Sequence, residues 1–109
     1  MNKISDRCLR CYSEQEWYGK NFLHSFLEEK DLYGKKILEV GCAEAGLLKY
    51  FTNKGANCHG IELSDIRFGN ALELNKNNSI NIFQANICNS ESYKNEIPIK
   101  FDIIILRDV

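Results

Sequence analysis

Strand and helix patterns alternate along the chain from residue 35 onward. Four short apolar runs, "KKILEV", "NCHGIEL", "INIFQA" and "FDIIILRDV", have the length and residue types of buried strands. Helical patterns occupy residues 46–55 and 65–75, between the first three of these runs. Because strands joined through helices lie parallel, the alternation limits the chain to a parallel sheet with helices on its faces.

Right-handed crossovers between such strands build an open sheet. We therefore predict an α/β fold, a Rossmann-like doubly wound parallel sheet that comprises the first four strands with flanking helices and is truncated after the fourth strand. Residue 109 directly follows that strand, and no later segment would cover it. Since an exposed apolar edge strand favours aggregation, we expect the chain to be the N-terminal part of a longer protein.

A further helical pattern precedes the first strand, from Ser13 to about Leu32. We assign residues 1–12 to an N-terminal tail and residues 13–109 to a single domain. Four side chains of this helix are spaced to share one apolar face, which predicts that they pack in the core. They are Trp17, Phe22, Phe26 and Leu27. Tyr18 and Trp17 are also candidates for the wall of a ligand site, although core packing is favoured for Trp17.

The tail contains two cysteines, Cys8 and Cys11, in the sequence "CLRC". A structural zinc site normally needs four ligands, and neither His24 nor His59 has the spacing to complete one. The pattern therefore favours two incidental cysteines over metal or redox chemistry, and no metal ligand is assigned. His59 lies within the second predicted strand, where a structural role is favoured.

Charge and composition exclude several classes of function. The net charge of −1 provides no basic field for nucleic acid, and we expect no nucleic-acid partner. No apolar run approaches the roughly 20 residues of a membrane span, and no secretory h-region is present. Five cysteines are an odd number, and Cys42, Cys58 and Cys88 lie in or beside apolar runs. This usage favours reduced, buried thiols and a cytoplasmic location.

The loop after the first strand, "GCAEAG" at residues 41–46, lacks bulky side chains. Small residues at Gly41, Ala43, Ala45 and Gly46 let a ligand approach the main chain closely. The helix that follows directs free N–H groups toward the same place. The loop therefore predicts a ligand site at the carboxyl end of the first strand.

Two acids flank this loop. Glu39 lies two residues before Gly41, and we place it at the mouth of the site. Glu62 ends the second strand, 62 − 41 = 21 residues after Gly41. A carboxylate at that spacing is suited to accept hydrogen bonds from the two hydroxyls of a ribose.

The segments "ILEVGCAEAG", "GIELS", "ANI" and "FDIIILRDV" together resemble the class I S-adenosylmethionine-dependent methyltransferases. The resemblance covers residues 35–109 and the first part of that fold. Within the family, the branch that methylates small molecules or lipid precursors, including quinone-biosynthesis enzymes, is the most similar. The resemblance implies S-adenosylmethionine as the cofactor and a small-molecule substrate.

The resemblance also implies a role for each matching residue. Glu39 would face the ammonium group of the cofactor, whose methionine end would lie on the backbone of Gly41, Cys42, Ala43 and Ala45. Glu62 would bind the ribose hydroxyls, and Leu63 would pack against the adenine. Asn86 and Ile87 would reach the adenine edge, and Arg107 would border the sulfonium. No catalytic residue is implied.

Three positions depart from the family pattern. Ala43 and Ala45 stand where the family usually has glycine, and a methyl group is costly wherever φ is positive. This predicts weaker cofactor binding or a slightly different backbone. Asn86 replaces a frequent aspartate, although its carbonyl can still accept from the adenine amino group.

Two alternatives stay open. An NAD(P)-dependent oxidoreductase would also use "GCAEAG" and Glu62, but its pyrophosphate would face the carboxylate of Glu39 without compensation. A non-catalytic, truncated nucleotide-binding module is the other alternative. A missing C-terminal segment of the same protein, or a companion subunit, would then complete the sheet.

Overall fold

A computed structural model of the chain describes residues 4–89 and 100–107. Helix α1 spans Asp6–Tyr18, continues through a π-helical segment at Gly19–Leu23 and ends with the short helix α2 at His24–Phe26. The remaining elements alternate as the sequence predicts. They are β1 at Lys36–Val40, α3 at Gly46–Asn53, β2 at Asn57–Glu62, α4 at Asp65–Leu74, β3 at Ile80–Gln84 and β4 at Ile103–Leu106.

The four strands form one parallel sheet in the order β3-β2-β1-β4. Along the chain, β2 and β3 add to one side of β1, and β4 then adds to the other side of β1. The strand order therefore reverses between β1 and β4, which is where a doubly wound sheet opens a crevice for ligands. The predicted α/β, Rossmann-like parallel sheet of four strands with flanking helices is confirmed.

The first helix differs from its predicted bounds at both ends. It begins at Asp6 because the side chain of Ser5 accepts a hydrogen bond from the backbone N–H of Cys8 at 3.1 Å, which caps the helix N-terminus. The boundary predicted at residue 13 therefore falls within α1. The helical segment ends at Phe26, since the backbone of Leu27 is extended.

The apolar face predicted on this helix is wrong for three of its four residues. Trp17, Phe22 and Phe26 are exposed, and only Leu27 packs against the core. The buried side of the helix is formed instead by Cys8, Tyr12 and Gly19. This side contains small and polar groups, so a search for an apolar stripe does not find it.

Most of the core lies between α3 and the sheet. Leu47, Leu48 and Phe51 of α3 are fully buried against Ile37 of β1 and Cys58 of β2. The opposite face of the sheet carries a smaller cluster of apolar side chains, which comprises Leu38, Val40, Ile61 and Ala85, with Phe101 packed against it.

His59 is buried on the sheet, within 3.5 Å of Asn81, and burial lowers its pKa. The predicted burial of Cys42 and Cys58 is confirmed, whereas Cys88 is exposed.

Helices α1 and α3 approach each other most closely at Gly46, the first residue of α3. A Cβ atom at this position would lie 2.1 Å from the backbone oxygen of Tyr12 and 2.8 Å from the Cβ of Gln15. Only glycine therefore allows the two helices to pack at this distance. The contact matters for function because it sets the position of α1 relative to the loop that precedes α3.

We expect Gly46→Ala to lower the free energy of unfolding by about 1–3 kcal/mol, because the added methyl group meets backbone atoms that cannot move independently. Gly69→Ala is the matched control. Gly69 lies in α4, and among the described residues no heavy atom outside its own stretch of helix backbone and its chain neighbours lies within 4 Å of the added Cβ, so this change should raise stability by about 0.5–1 kcal/mol. Urea unfolding of both variants measures the difference, and equal effects would contradict the close packing of α1 on α3.

Candidate functional site

The loop between β1 and α3 has an unusual backbone. Gly41, Ala43 and Ala45 all adopt left-handed conformations, with φ of 75°, 52° and 66°. Left-handed backbone costs a residue with a Cβ about 1–2 kcal/mol. The loop therefore has the conformation for which glycine is normally used, although alanine occupies two of its three left-handed positions.

Glu62, at the end of β2, fixes this loop from one side. Its Oε1 accepts a hydrogen bond from the backbone N–H of Ala43 at 2.7 Å, and its Oε2 accepts one from the N–H of Ser64 at 3.0 Å. The carboxylate is buried, yet each oxygen keeps a further acceptor position. Glu62 thus holds the loop and the end of β2 together, a role that the sequence did not predict.

Side chains of α1 and α4 hold the loop from the other side. Gln15 accepts from the backbone N–H of Gly46 at 3.0 Å and donates to the carboxylate of Glu44 at 2.7 Å. Asn75 donates to the backbone oxygen of Glu44 at 2.9 Å, and the hydroxyl of Tyr12 donates to Asn75 at 2.7 Å. Buried polar groups therefore connect α1, the loop and α4.

Glu44 is a loop residue that sequence reasoning missed. It is buried, and its Oε2 lies 3.4 Å from Nε of Arg67 in addition to the hydrogen bond from Gln15. The available signal was a charged residue in the centre of an otherwise small-residue loop. Such a residue is either solvated or paired, and here it is paired with groups far away in the sequence.

Glu39 lies elsewhere than expected. Its exposed fraction is 0%, and it does not line the cavity described below, so its predicted position at the mouth of the site is wrong. The physical reason is its position on β1, the strand between β2 and β4, where Gly60 and Ile105 are its neighbours. Arg107 Nη2 lies 3.5 Å from its Oε2, but neither carboxylate oxygen has a hydrogen-bond partner among the described residues.

Burial controls the protonation of Glu39. Desolvation raises its pKa to about 8, the positive charge of Arg107 opposes this rise, and the negative charge of Glu62 adds to it. The carboxyl group of Glu39 is thus a buried polar group that has no hydrogen-bond partner among residues 4–89 and 100–107.

A cavity of about 700 Å³ opens beside this loop, at the carboxyl ends of the strands. One wall consists of predicted site residues, and these are Gly41, Ala43, Glu62, Leu63, Asn86, Ile87 and Arg107. The structure therefore brings seven of the ten candidates to one surface. Besides Glu39, Cys42 and Ala45 do not line the cavity, because their side chains are fully buried in the core.

Helix α1 supplies the opposite wall of the cavity, with Cys11, Glu14, Gln15, Trp17 and Tyr18. The interpretation of Trp17 as a core residue is wrong, since 63% of its surface is exposed. The guanidinium of Arg107 lies over the ring of Tyr18, 5.0 Å from its centroid. Arg107 therefore contacts both the buried carboxyl group of Glu39 and the aromatic ring of Tyr18.

Among residues 4–89 and 100–107, no group of three or more His, Cys, Asp or Glu side chains is arranged to hold a metal ion. In the same part of the chain, no helix is long and apolar enough to cross a membrane.

Several solved structures with a similar fold are methyltransferases. Magnesium protoporphyrin IX methyltransferase from Synechocystis PCC 6803, with bound S-adenosylhomocysteine, matches with a TM-score of 0.68 and 16% identity over 100% of this chain and 49% of its own. An S-adenosylmethionine-dependent methyltransferase from Mesorhizobium loti matches with a TM-score of 0.63 and 20% identity, over 84% and 39%. The plantazolicin methyltransferase BpumL, with S-adenosylhomocysteine, matches with a TM-score of 0.56 and 21% identity, over 91% and 35%.

These similarities establish the fold of the class I S-adenosylmethionine-dependent methyltransferases. The chain spans about half, or less, of the length of each of these three structures. No protein-family model matches the sequence, and no curated protein matches it significantly.

The left-handed alanines lead to a stability prediction. Ala43→Gly should raise the free energy of unfolding by about 0.5–1 kcal/mol, because relief of the left-handed backbone exceeds the entropy that glycine adds to the unfolded chain. Ala45→Gly should gain less, since it also removes a fully buried methyl group. Urea unfolding measures both changes. The control is Ala71→Gly in right-handed α4, which should lose about 1 kcal/mol or more; an equal loss at Ala43 would contradict the left-handed assignment.

The buried Glu39 leads to a pH prediction. Its pKa of about 8 in the folded chain exceeds its ordinary value of 4.5, so between these values the folded state keeps a proton that the unfolded state has released. This contribution to stability is complete below pH 4.5 and is lost as the pH rises through 8, by up to about 1.4 kcal/mol per pH unit.

Urea unfolding at several pH values between these limits tests this sign. Glu39→Gln should remove the slope, whereas Glu73→Gln, which changes a surface ion pair with Lys76, should keep it. A wild-type slope that survives in Glu39→Gln would show that another group is responsible.

Proposed function

We propose that this domain binds S-adenosylmethionine and forms the cofactor-binding half of a methyltransferase. The observation that carries the proposal is the position of Glu62, which lines the cavity and whose carboxylate is hydrogen-bonded to a loop that lacks bulky side chains. The methyltransferase fold of the chain, shared with structures solved with S-adenosylhomocysteine, supports the same ligand.

The cavity residues fit the chemical groups of this cofactor in turn. Glu62 has acceptor positions left for the two ribose hydroxyls. Leu63 offers an exposed apolar side chain for the adenine. Asn86 and Ile87 also line the cavity and would contact the edge of the adenine ring. The backbone of Gly41 and Ala43 is open to the methionine end.

Glu39 provides the test of fit that does not depend on similarity. A buried carboxyl group without a hydrogen-bond partner among the described residues is costly in a folded protein. An ammonium group at the methionine end would stabilise its charged form. Arg107 would compete for the same carboxylate, and its pairing with Glu39 reduces the repulsion that a free guanidinium would exert on a nearby sulfonium.

When bound, the cofactor supplies a methyl group on a sulfonium, which already contains its own leaving group. The residues of this chain then have three tasks: they bind the cofactor, orient the methyl group toward the acceptor and exclude water. The aromatic wall of Trp17 and Tyr18 lies where an acceptor would approach, and both are positioning residues in this proposal. No described side chain is assigned as a general base.

The acceptor that we propose is a small molecule, in keeping with the net charge of −1, which provides no overall basic field for a polyanion. The narrower preference for a lipid or quinone precursor stays a prediction, as does the cytoplasmic location. A further segment of the protein or a companion subunit would supply the part of the fold that the longer solved structures contain.

The NAD(P)-dependent alternative is not favoured. A pyrophosphate on this loop would lie beside Glu62 and Glu14, which line the cavity. Binding of an anion there would require additional cations, and the two arginines of the cavity are already paired with Glu44 and Glu39.

Calorimetric titration with S-adenosylhomocysteine tests the proposal. Glu62→Ala should weaken binding by about 1.5–3 kcal/mol, or roughly 10- to 150-fold, because hydrogen bonds to a charged group are lost. Glu73→Ala is the control, since its carboxylate pairs with Lys76 on the surface, and it should bind like the wild type.

Glu62 also holds the loop, so each variant needs a circular dichroism spectrum and an unfolding curve before titration. Unchanged affinity in a folded Glu62→Ala variant would remove the ribose assignment. Binding of NADH in place of S-adenosylhomocysteine by the wild type would overturn the proposed function.

A further inference from the structure

Cys8 and Cys11 lie one turn apart in the first half of α1. In an α-helix, residues three positions apart share a face, and their Cα atoms are separated by about 5 Å. Disulfides join Cα atoms that are about 4.4–6.8 Å apart, so the Cα separation in the helix is compatible with a disulfide. The Cβ atoms, about 5–6 Å apart in a regular helix, would have to approach to about 3.5–4.5 Å, so the bond would distort this turn of α1. Both cysteines are free thiols.

The two thiols have different environments. Cys11 is partly exposed and lines the cavity, so a small oxidant can reach its sulfur from the ligand site. Cys8 is only 6% exposed, and burial, followed by the charges of Glu44 and the nearby Cys11, raises its pKa. An accessible thiol next to a second thiol can serve as the attacking cysteine, with the second as the resolving cysteine.

We propose that Cys8 and Cys11 form a redox-sensitive pair whose disulfide reshapes the α1 wall of the cavity. The effect on ligand binding rests on the proposed function, whereas formation of the disulfide does not. The sequence pattern favours two incidental cysteines in a tail. In the structure both cysteines lie in α1, and Cys11 lines the cavity of the candidate site.

The chemistry needs a hydroperoxide as oxidant. The thiolate of Cys11 attacks one peroxide oxygen, the O–O bond breaks, and Cys11 becomes a sulfenic acid while hydrogen peroxide loses its second oxygen as water. The thiolate of Cys8 then attacks the sulfenic sulfur, and the hydroxyl group leaves as a second water molecule after it gains a proton. Two thiols are oxidised by two electrons in all, and one peroxide is reduced.

The position of Cys8 and Cys11 on α1 explains why their oxidation would change the cavity. The disulfide draws the side chain of Cys11 out of the cavity wall toward Cys8. Gln15 follows one turn later on the same helix and holds both Gly46 and Glu44. A shift of the first turns of α1 would therefore reach the loop that binds the ligand.

Peptide mapping of the whole chain tests formation of the disulfide without any ligand. Cys88→Ser provides the background, because Cys88 is exposed and could link two molecules. Trypsin cleaves after Arg10, between the two cysteines, so a disulfide would join the two resulting peptides until it is reduced. After treatment with hydrogen peroxide we expect these linked peptides, and we expect none after the further change Cys8→Ser.

Two readouts test the effect on the cavity. Trp17 is the only tryptophan of the chain and lies in the same wall, so its fluorescence should change on oxidation and return with dithiothreitol. Affinity for S-adenosylhomocysteine should fall by about tenfold or more on oxidation and recover on reduction. Neither change should occur when Cys8 is replaced by serine.

Several outcomes would overturn this inference. Two thiols that stay open to alkylation after peroxide, a Cys11 that is oxidised to sulfinic acid, or a link from Cys11 to another cysteine would each disprove the pair. Linked peptides with unaltered fluorescence and affinity would disprove the effect on the cavity. Absence of S-adenosylhomocysteine binding by the reduced protein would contradict the proposed function instead, while the mapping and fluorescence results would still decide the pair.

Discussion

The carboxylate of Glu62 accepts the hydrogen bond on which the candidate site depends. The donor is the backbone N–H of Ala43, in the centre of the loop between β1 and α3. That loop contains two left-handed alanines, and such a backbone persists only when its surroundings hold it. The same carboxylate accepts from Ser64, where the chain leaves β2. One buried charge thereby joins the ends of two neighbouring strands and leaves acceptor positions that face the cavity.

Hydrogen bonds from side chains of α1 also stabilise the loop at residues 41–46. Gln15 reaches the N-terminus of α3, and Tyr12 reaches Asn75, which holds the backbone of Glu44. These bonds are buried or partly buried, so their loss would leave polar groups unsatisfied. The N-terminal helix is thus part of the site, and the cavity exists only while α1 is docked on α3.

The sequence predicts the sheet because strand and helix patterns are local, and it predicts the loop because small residues and a downstream acid are visible as a motif. The position of Glu39 could not be predicted in this way, since its burial depends on β4, which pairs with β1 from residues far away in the chain. Trp17 was misplaced for a related reason. Its apolar spacing is typical of a core stripe, but close contact at Gly46 turns a different side of α1 toward α3. The start of α1 depends on a single cap at Ser5, and this signal is weak because other polar and charged residues surround Ser5 in the predicted tail.

The bond between Tyr12 and Asn75 joins residues that are 63 positions apart. Contacts of such long sequence separation form after local ones, because the chain must first close a large loop. The part of the sheet made of β1, β2 and β3, with α3 and α4 between them, can assemble from neighbouring segments, and α1 then docks on a surface that already exists. During unfolding, α1 is expected to detach before the sheet unfolds. Backbone amides of α1 should therefore exchange with solvent faster than those of β1 and β2. Transient release of this helix would open the cavity from the side and give a bulky ligand a way in that leaves the strands undisturbed.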